Sequence, residues 1–231
     1  MKTTAFLTML AAMAAASPIG ESDITKRSTE NELVNGECRK VTFIMARGST
    51  EVGNMGESVG PATCTALKKL YGSSDVACQG VGDPYTAGIY ENALPGGTTK
   101  AAYGEAEKLI TEAHTNQGAA VMDDGIQRLS SDIQAQIAGV VLYGDTRNKQ
   151  DDGSIPNFPK DKVKVYCKAS DGVCGGALVV TAGHLDYLGD VSEAAKWLQS
   201  QVSALGSSSN TTSSASPATS SSASGLGSLF G

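Results

Sequence analysis

Histidine and aromatic residues are scarce in this sequence, and basic clusters are absent. Two histidines and 5% aromatics stand in 231 residues, and 24 Asp and Glu outweigh 18 Lys and Arg for a net charge of −6. Without a basic stripe there is no electrostatic footprint for nucleic acid, so that partner is excluded. The same lack removes the basic face that binds anionic membranes. The apolar run over residues 6–16 is too short to span a bilayer. With only His114 and His184 present, any histidine-based acid–base chemistry falls to one of two side chains.

At the N-terminus, Lys2, the run over residues 6–16 and the small residues Ala14, Ala15 and Ala16 have the layout of a signal peptide. Residues 17–30 read as a pro-segment containing the dibasic pair Lys26-Arg27, or as a solvated N-terminus. A secreted chain makes cysteines disulfide candidates. The five here are Cys38, Cys64, Cys78, Cys167 and Cys174, an odd number that leaves at least one without an intrachain partner. Beyond residue 205 the composition collapses to Ser, Thr, Ala and Gly. Residues 206–231 therefore read as a disordered, O-glycosylated tail containing the sequon Asn210-Thr211-Thr212.

Between these ends, apolar runs and helical periodicities alternate. Strands are predicted over residues 41–45, 76–81, 140–143 and 163–167. Helices are predicted over 61–71, 99–113, most of 118–137, and 192–205 with Ser192 as N-cap. The stretch 84–98 reads as a Gly-, Pro- and Asn-rich surface loop. Nearly all-apolar strands alternating with helices argue an α/β domain over residues 31–205, a mostly parallel central sheet sandwiched between helix layers.

Two late residues could carry chemistry. Asp171 follows the 163–167 strand within Cys167-Lys168-Ala169-Ser170-Asp171-Gly172-Val173-Cys174, and His184 lies in the loop ahead of the last helix. Asp before His, both late and after a strand, is the order of the α/β-hydrolase triad.

The words around them carry a resemblance. They are Ala46-Arg47-Gly48-Ser49-Thr50-Glu51, Gly53-Asn54-Met55-Gly56, Gln79-Gly80-Val81-Gly82, Asn92-Ala93-Leu94-Pro95-Gly96-Gly97, Gln117-Gly118-Ala119-Ala120-Val121, Ile155-Pro156-Asn157 and the Cys167–Cys174 loop followed by His184. Together they strongly resemble the fungal cutinase family, from about Cys38 to Val202.

The resemblance implies a three-layer α/β-hydrolase fold and a secreted, monomeric serine esterase that cleaves cutin or other lipid polyesters and short-chain esters, with no cofactor and no metal. It makes Asp171 the orienting acid, His184 the base, and Ser49 and Gln117 the oxyanion-hole donors. It places Leu178 and Val180 beside an open cleft, although ordinary packing would suit them equally. It also implies Cys64–Cys78 and Cys167–Cys174 pairs.

The chain departs from the family at one junction. The family's nucleophile sits in a G-Y-S-Q-G elbow after an apolar strand, whereas here Ala113-His114-Thr115-Asn116 runs directly into Gln117-Gly118. A block on the order of a dozen residues, one strand and its turns, is missing. Asn116 takes the place of the serine, and its amide has no nucleophilic hydroxyl. The family's partner for Cys38 lies in the same block, so Cys38 is expected to be unpaired. Thr115 is adjacent but lacks the strained elbow that exposes a nucleophile. A mis-called intron or a genuine deletion would each produce such a junction. Two other readings are a non-catalytic lipid- or cuticle-binding scaffold and a polysaccharide acetyl-esterase. The Arg47-Gly48-Ser49-Thr50 and Asn92-Ala93-Leu94-Pro95 words favour the cutinase plan over the latter.

Overall fold

A computed structural model describes residues 28–36, 39–94, 96–115, 123–177 and 179–212. The signal-peptide residues, Cys38, Asn116, Gln117, Leu178 and residues 213–231 lie outside the described residues.

The elements follow in chain order as α1 (Glu32–Asn35), β1 (Val41–Met45), α2 (Val59–Tyr71), β2 (Val76–Gly80), α3 (Lys100–Thr115), α4 (Asp123–Ile126), α5 (Ser131–Gln136), β3 (Val140–Tyr143), β4 (Val163–Tyr166) and α6 (Val191–Thr212). Strands and helices alternate as expected for an α/β chain, and both ladders are parallel. Every residue of β1 and β2 is buried, the pattern of strands covered on both faces. In β4 the side chains are only half-buried, which marks an outer strand.

The helices earn their places by periodicity. On α2, Val59, Thr63, Cys64 and Leu67 share the buried face, and Gly72, at φ 101°, ends the helix by donating its N–H to the Lys68 carbonyl. A disulfide from Cys64 to Cys78, with Cα atoms 6.1 Å apart, ties α2 to β2. On α3, Ala102, Ala106, Leu109, Ile110 and Ala113 form the inward stripe. The inner face of α6 is Ala194, Ala195 and Leu198, packed against α2.

Two expectations are corrected here. Ser192 is not the N-cap of the last helix. The short 3₁₀ turn Leu188–Asp190 leads straight into α6, which starts at Val191 and places Ser192 in its first turn. The helix also continues to Thr212, into the region read as tail. No proline interrupts it there, and the Ser203 and Ser207 hydroxyls fold back onto the carbonyls four residues earlier, Gln199 and Ser203.

The sheet is divided. The single central sheet becomes, among the described residues, two separate two-stranded sheets, β1–β2 and β3–β4. The first runs in register from Val41 opposite Val76 to Met45 opposite Gly80, and the second from Val140 opposite Val163 to Tyr143 opposite Tyr166. Between β1 and the approach to β3 lies a narrow apolar slot of about 20 Å³. Val41 and Phe43 of β1 line one side and Ala138 and Gly139, just ahead of β3, line the other, with Leu67 of α2 and Leu198 of α6 closing it. No helix among the described residues is long and apolar enough to cross a membrane.

This arrangement has a measurable signature. Successive amides along a strand point to opposite edges, so hydrogen exchange along residues 41–45 and 140–143 should alternate between protected amides, bonded in the ladder, and fast-exchanging amides facing the slot. Uniform protection along either strand would show that its outer edge is paired.

Candidate active site

The loops that follow β3 and β4 build one polar cluster. After β4, Cys167 and Cys174 are bonded, with Cα atoms 5.9 Å apart, and close a short loop around Asp171. The Asp171 N–H donates to the Lys168 carbonyl at 2.9 Å, which starts the turn. Thr181 staples this loop to the next. Its hydroxyl donates to the Ser170 carbonyl at 2.6 Å and accepts from the Gly172 N–H at 3.3 Å. The 3₁₀ turn Ala182–Leu185 then places His184 over the aspartate.

Asp171 is 2% exposed, and its carboxylate collects three hydrogen bonds. Oδ1 accepts from the Val173 N–H at 2.8 Å. Oδ2 lies 3.0 Å from His184 Nδ1 and accepts from the Tyr187 hydroxyl at 2.6 Å. Burial pushes this carboxyl up, but the donors from Tyr187, His184 and Val173 outweigh it and hold it below the ordinary carboxylate value. The tyrosine is affected in the opposite sense: burial, reinforced by its hydrogen bond to the carboxylate, raises its pKa to about 12. The His184 side chain is 24% exposed, and its Nε2 makes no hydrogen bond among the described residues. An imidazole held through Nδ1 by a buried carboxylate, with Nε2 open, is arranged to accept a proton at Nε2.

Gly144 completes the pocket from the end of β3. Its φ is +57°, and a Cβ there would stand 2.7 Å from both Asp171 Oδ2 and His184 Nδ1. Gly183 plays the same part between the loops, where a Cβ would meet the Ser170 carbonyl oxygen at 2.7 Å.

Ser49 sits in the loop leaving the end of β1, half-buried. Glu51 organises that loop: its carboxylate accepts from the Gly48 N–H at 2.7 Å, from the N–H groups of Glu57 and Ser58 at 3.0 Å each, and from the Ser58 hydroxyl at 2.6 Å. Arg47 donates to the Glu51 carbonyl at 2.9 Å, the Tyr85 hydroxyl donates to the Arg47 carbonyl at 2.7 Å, and Thr50 is held at φ 69°.

The sequence Gly56-Glu57-Ser58-Val59-Gly60 within this loop has the G-x-S-x-G pattern of a nucleophile elbow. It opens α2 after a loop rather than after a strand, and its hydroxyl is engaged by Glu51, so its surroundings are not those of an elbow.

The structure thus brings Asp171 and His184 together and places Ser49 in a separate ordered loop. Asn116 and Gln117 lie outside the described residues, as does Leu178. Val180 is exposed, as are Val179, Leu185 and Leu188. Sequence reasoning missed Tyr187 and Gly144. The spacing of three between His184 and Tyr187, and a glycine directly after a predicted strand, were the available signals. Among the described residues no cluster of acidic, histidine or cysteine side chains could hold a metal ion.

A second polar cluster lies beyond Gly144. Burial, with Asp145 and Asp151 near it, pushes the Asp123 carboxyl up to about 7, and neither of its oxygens has a hydrogen-bond partner among the described residues. Arg147 is engaged with Asp151, Nε to Oδ2 at 2.7 Å.

Comparison with known proteins places this geometry. The family model described as Cutinase matches residues 37–202. Cutinase 3 of Emericella nidulans is 45% identical over 216 residues, covering 87% of this chain and 98% of that protein. Probable cutinase 1 of Aspergillus niger is 49% identical over 187 residues, covering 76% and 71%. Among solved structures, Trichoderma reesei cutinase in complex with a C11Y4 phosphonate inhibitor superposes with a TM-score of 0.62 at 26% identity, covering 76% of this chain and 80% of that one.

Two predictions follow from the geometry. Replacing Gly144 with valine forces a β-branched residue into positive φ and a Cβ into the Asp171–His184 contact, and should cost about 2–4 kcal/mol by urea denaturation. Gly104→Ala, on α3 with nothing within 4 Å of the new Cβ, should instead gain about 0.5–1 kcal/mol.

For Asp123, the folded carboxyl titrates near 7 while the unfolded one titrates near its ordinary value. Between about pH 4 and pH 7 only the unfolded chain loses its proton, so this group lowers stability as pH rises through that window. Asp123→Asn should therefore match the parent near pH 3 and exceed it by about 1–2 kcal/mol at pH 8, a figure discounted for partial solvent screening. Thermal melts across the range check both the sign and the window.

Proposed function

The chain belongs to the cutinase family, and from that premise we propose that it is a secreted carboxylic ester hydrolase scaffold, directed at cutin or related lipid polyesters, whose acid and base are intact and whose nucleophile-bearing strand is missing. The observation that carries the proposal is the buried Asp171 carboxylate holding His184 Nδ1 at 3.0 Å while Nε2 stays open. In such a site the base would take the proton of an attacking hydroxyl, the aspartate would fix the imidazole's tautomer and stabilise its cation, and Ser49 would face the developing oxyanion. Asn116, in the serine's place, has no hydroxyl to surrender.

Three features support the loss of a strand. Among the described residues the two parallel pairs are not joined, and an apolar slot lies between β1 and the approach to β3. Cys38 stands outside the two disulfides, which use the other four cysteines. The match to the Emericella nidulans protein runs over 216 residues but takes in only 87% of these 231, about 201, and the roughly 15 positions left over suit one strand with its turns.

A second reading, a non-catalytic module that binds lipid or cuticle, draws support from one observation: Val179, Val180, Leu185 and Leu188, all close to His184 in the sequence, are large apolar side chains left exposed.

Assay of the purified chain on p-nitrophenyl butyrate should show no turnover above that of a His184→Ala variant. In a comparable triad, losing the serine cost about a million-fold in turnover. Inserting an apolar strand and a G-Y-S-Q-G turn, about a dozen residues in all, between Thr115 and Gln117 should restore hydrolysis that depends on His184. Turnover by the uninserted chain that His184→Ala abolishes would overturn the proposal of a missing nucleophile.

A further inference from the structure

Tyr187 joins the Asp171–His184 pair through Asp171 Oδ2. It is 3% exposed, and its ring packs against Tyr143 with centroids 5.8 Å apart. Its hydroxyl sits at a junction of three segments. It donates to Asp171 Oδ2 at 2.6 Å, accepts from the Lys168 N–H at 3.2 Å, and lies 3.9 Å from Cys174 Sγ. The cysteine sulfur is disulfide-bonded and has no proton, so the hydroxyl's single proton goes to the carboxylate.

The local chain explains the convergence. His184 lies within the 3₁₀ turn Ala182–Leu185, and Tyr187 lies between that turn and the turn Leu188–Asp190. The chain leaves the first turn at Asp186, at φ −109° and ψ 55°, and still brings Tyr187 to the same carboxylate as His184. Both polar atoms land on one oxygen, Oδ2.

Two donors on one oxygen limit what the carboxylate can do. With Val173 N–H fixing Oδ1 and the tyrosine fixing Oδ2 from the other side, the carboxylate plane cannot rotate away from the imidazole without breaking a charge-assisted bond. We propose that Tyr187 is a positioning residue of this site, whose hydroxyl holds the Asp171 carboxylate in the one orientation that engages His184 Nδ1. The proposal rests on Asp171 and His184 acting as acid and base.

The test uses the chain as it stands and needs no turnover. With only two histidines, ¹⁵N labelling isolates the Nδ1 proton of His184 as a single downfield resonance. Asp171→Asn should abolish that resonance. If the parent shows no such proton, the acid–base reading fails and the proposal falls with it. Tyr187→Phe keeps the ring and its contact with Tyr143 and removes only the hydroxyl. The proposal expects solvent exchange of the Nδ1 proton to rise about tenfold or more in this variant, the effect of losing a hydrogen bond to a charged group, while methyl spectra and far-UV circular dichroism keep their folded form. An unchanged resonance and exchange rate in folded Tyr187→Phe would overturn it, because a merely packing role survives in phenylalanine. Should Tyr187→Phe fail to fold, Val173→Pro, which removes the N–H to Oδ1 and leaves Tyr187 in place, provides the second measurement. The Nδ1 resonance should persist there if Tyr187 holds the carboxylate, and its loss in a folded protein would overturn the proposal.

Discussion

A carboxylate removed from water must be given its hydrogen bonds by the protein, and much of the architecture around Asp171 answers to that demand. A buried anion left unpaired would cost several kcal/mol or take up a proton. The donors come from three places: a backbone N–H two residues on, an imidazole from the next loop, and a phenol from beyond it. Supplying them requires the Asp171 loop and the His184 turn to press together. The Cys167–Cys174 bond limits how far the first can open, and Thr181 bonds to both sides of the contact. Glycine at 144 and 183 then follows from the closeness of approach, since a side chain at either position would occupy space already filled by the polar groups or the facing backbone.

The sheet faces a different constraint. A parallel strand buried on both faces needs a neighbour at each edge, because its amides and carbonyls have no water to turn to. Here β1 has β2 on one side and β3 has β4, with the slot on the other side of β1 and at the approach to β3. What joins the halves is helical. The pairing of α2 with α6 closes one end of the slot, α3 lies on β1, and α6 reaches β3. The slot's lining is apolar, and its volume of about 20 Å³ is that of a single water molecule.

Much of this was legible in the chain. The strands announced themselves as short apolar runs of β-branched residues, and α2 and α3 as 3.6-residue periodicities ended or begun by Gly72 and Thr99. The order of Asp171 and His184, and the small loop between Cys167 and Cys174, pointed to the pair that the fold brings together. What escaped sequence reasoning depends on tertiary approach. Nothing local marks Tyr187 as a carboxylate partner, because the relation runs between two loops and not along a helix or strand. Gly144 reads as an ordinary turn glycine until the groups it must avoid are in place. Ser192 had the right chemistry for an N-cap, but the preceding 3₁₀ turn already supplied a helical entry and pulled the start of the helix back to Val191. Local pattern also misleads at Gly56-Glu57-Ser58-Val59-Gly60, where the letters of an elbow open a helix whose serine is spoken for by Glu51.

The contact between Asp171 and His184 has a local structural origin. Asp171, His184, Tyr187, Thr181 and Gly144 all come from the chain after the start of β3, and the hydrogen bonds that the Asp171, His184, Tyr187 and Thr181 side chains make among the described residues join residues of that same stretch, 168–187. The pair is therefore assembled by β3, β4 and the loops that follow, and it can form whether or not a hydroxyl waits opposite Nε2. A well-made Asp–His contact consequently reports on the stability of this C-terminal half.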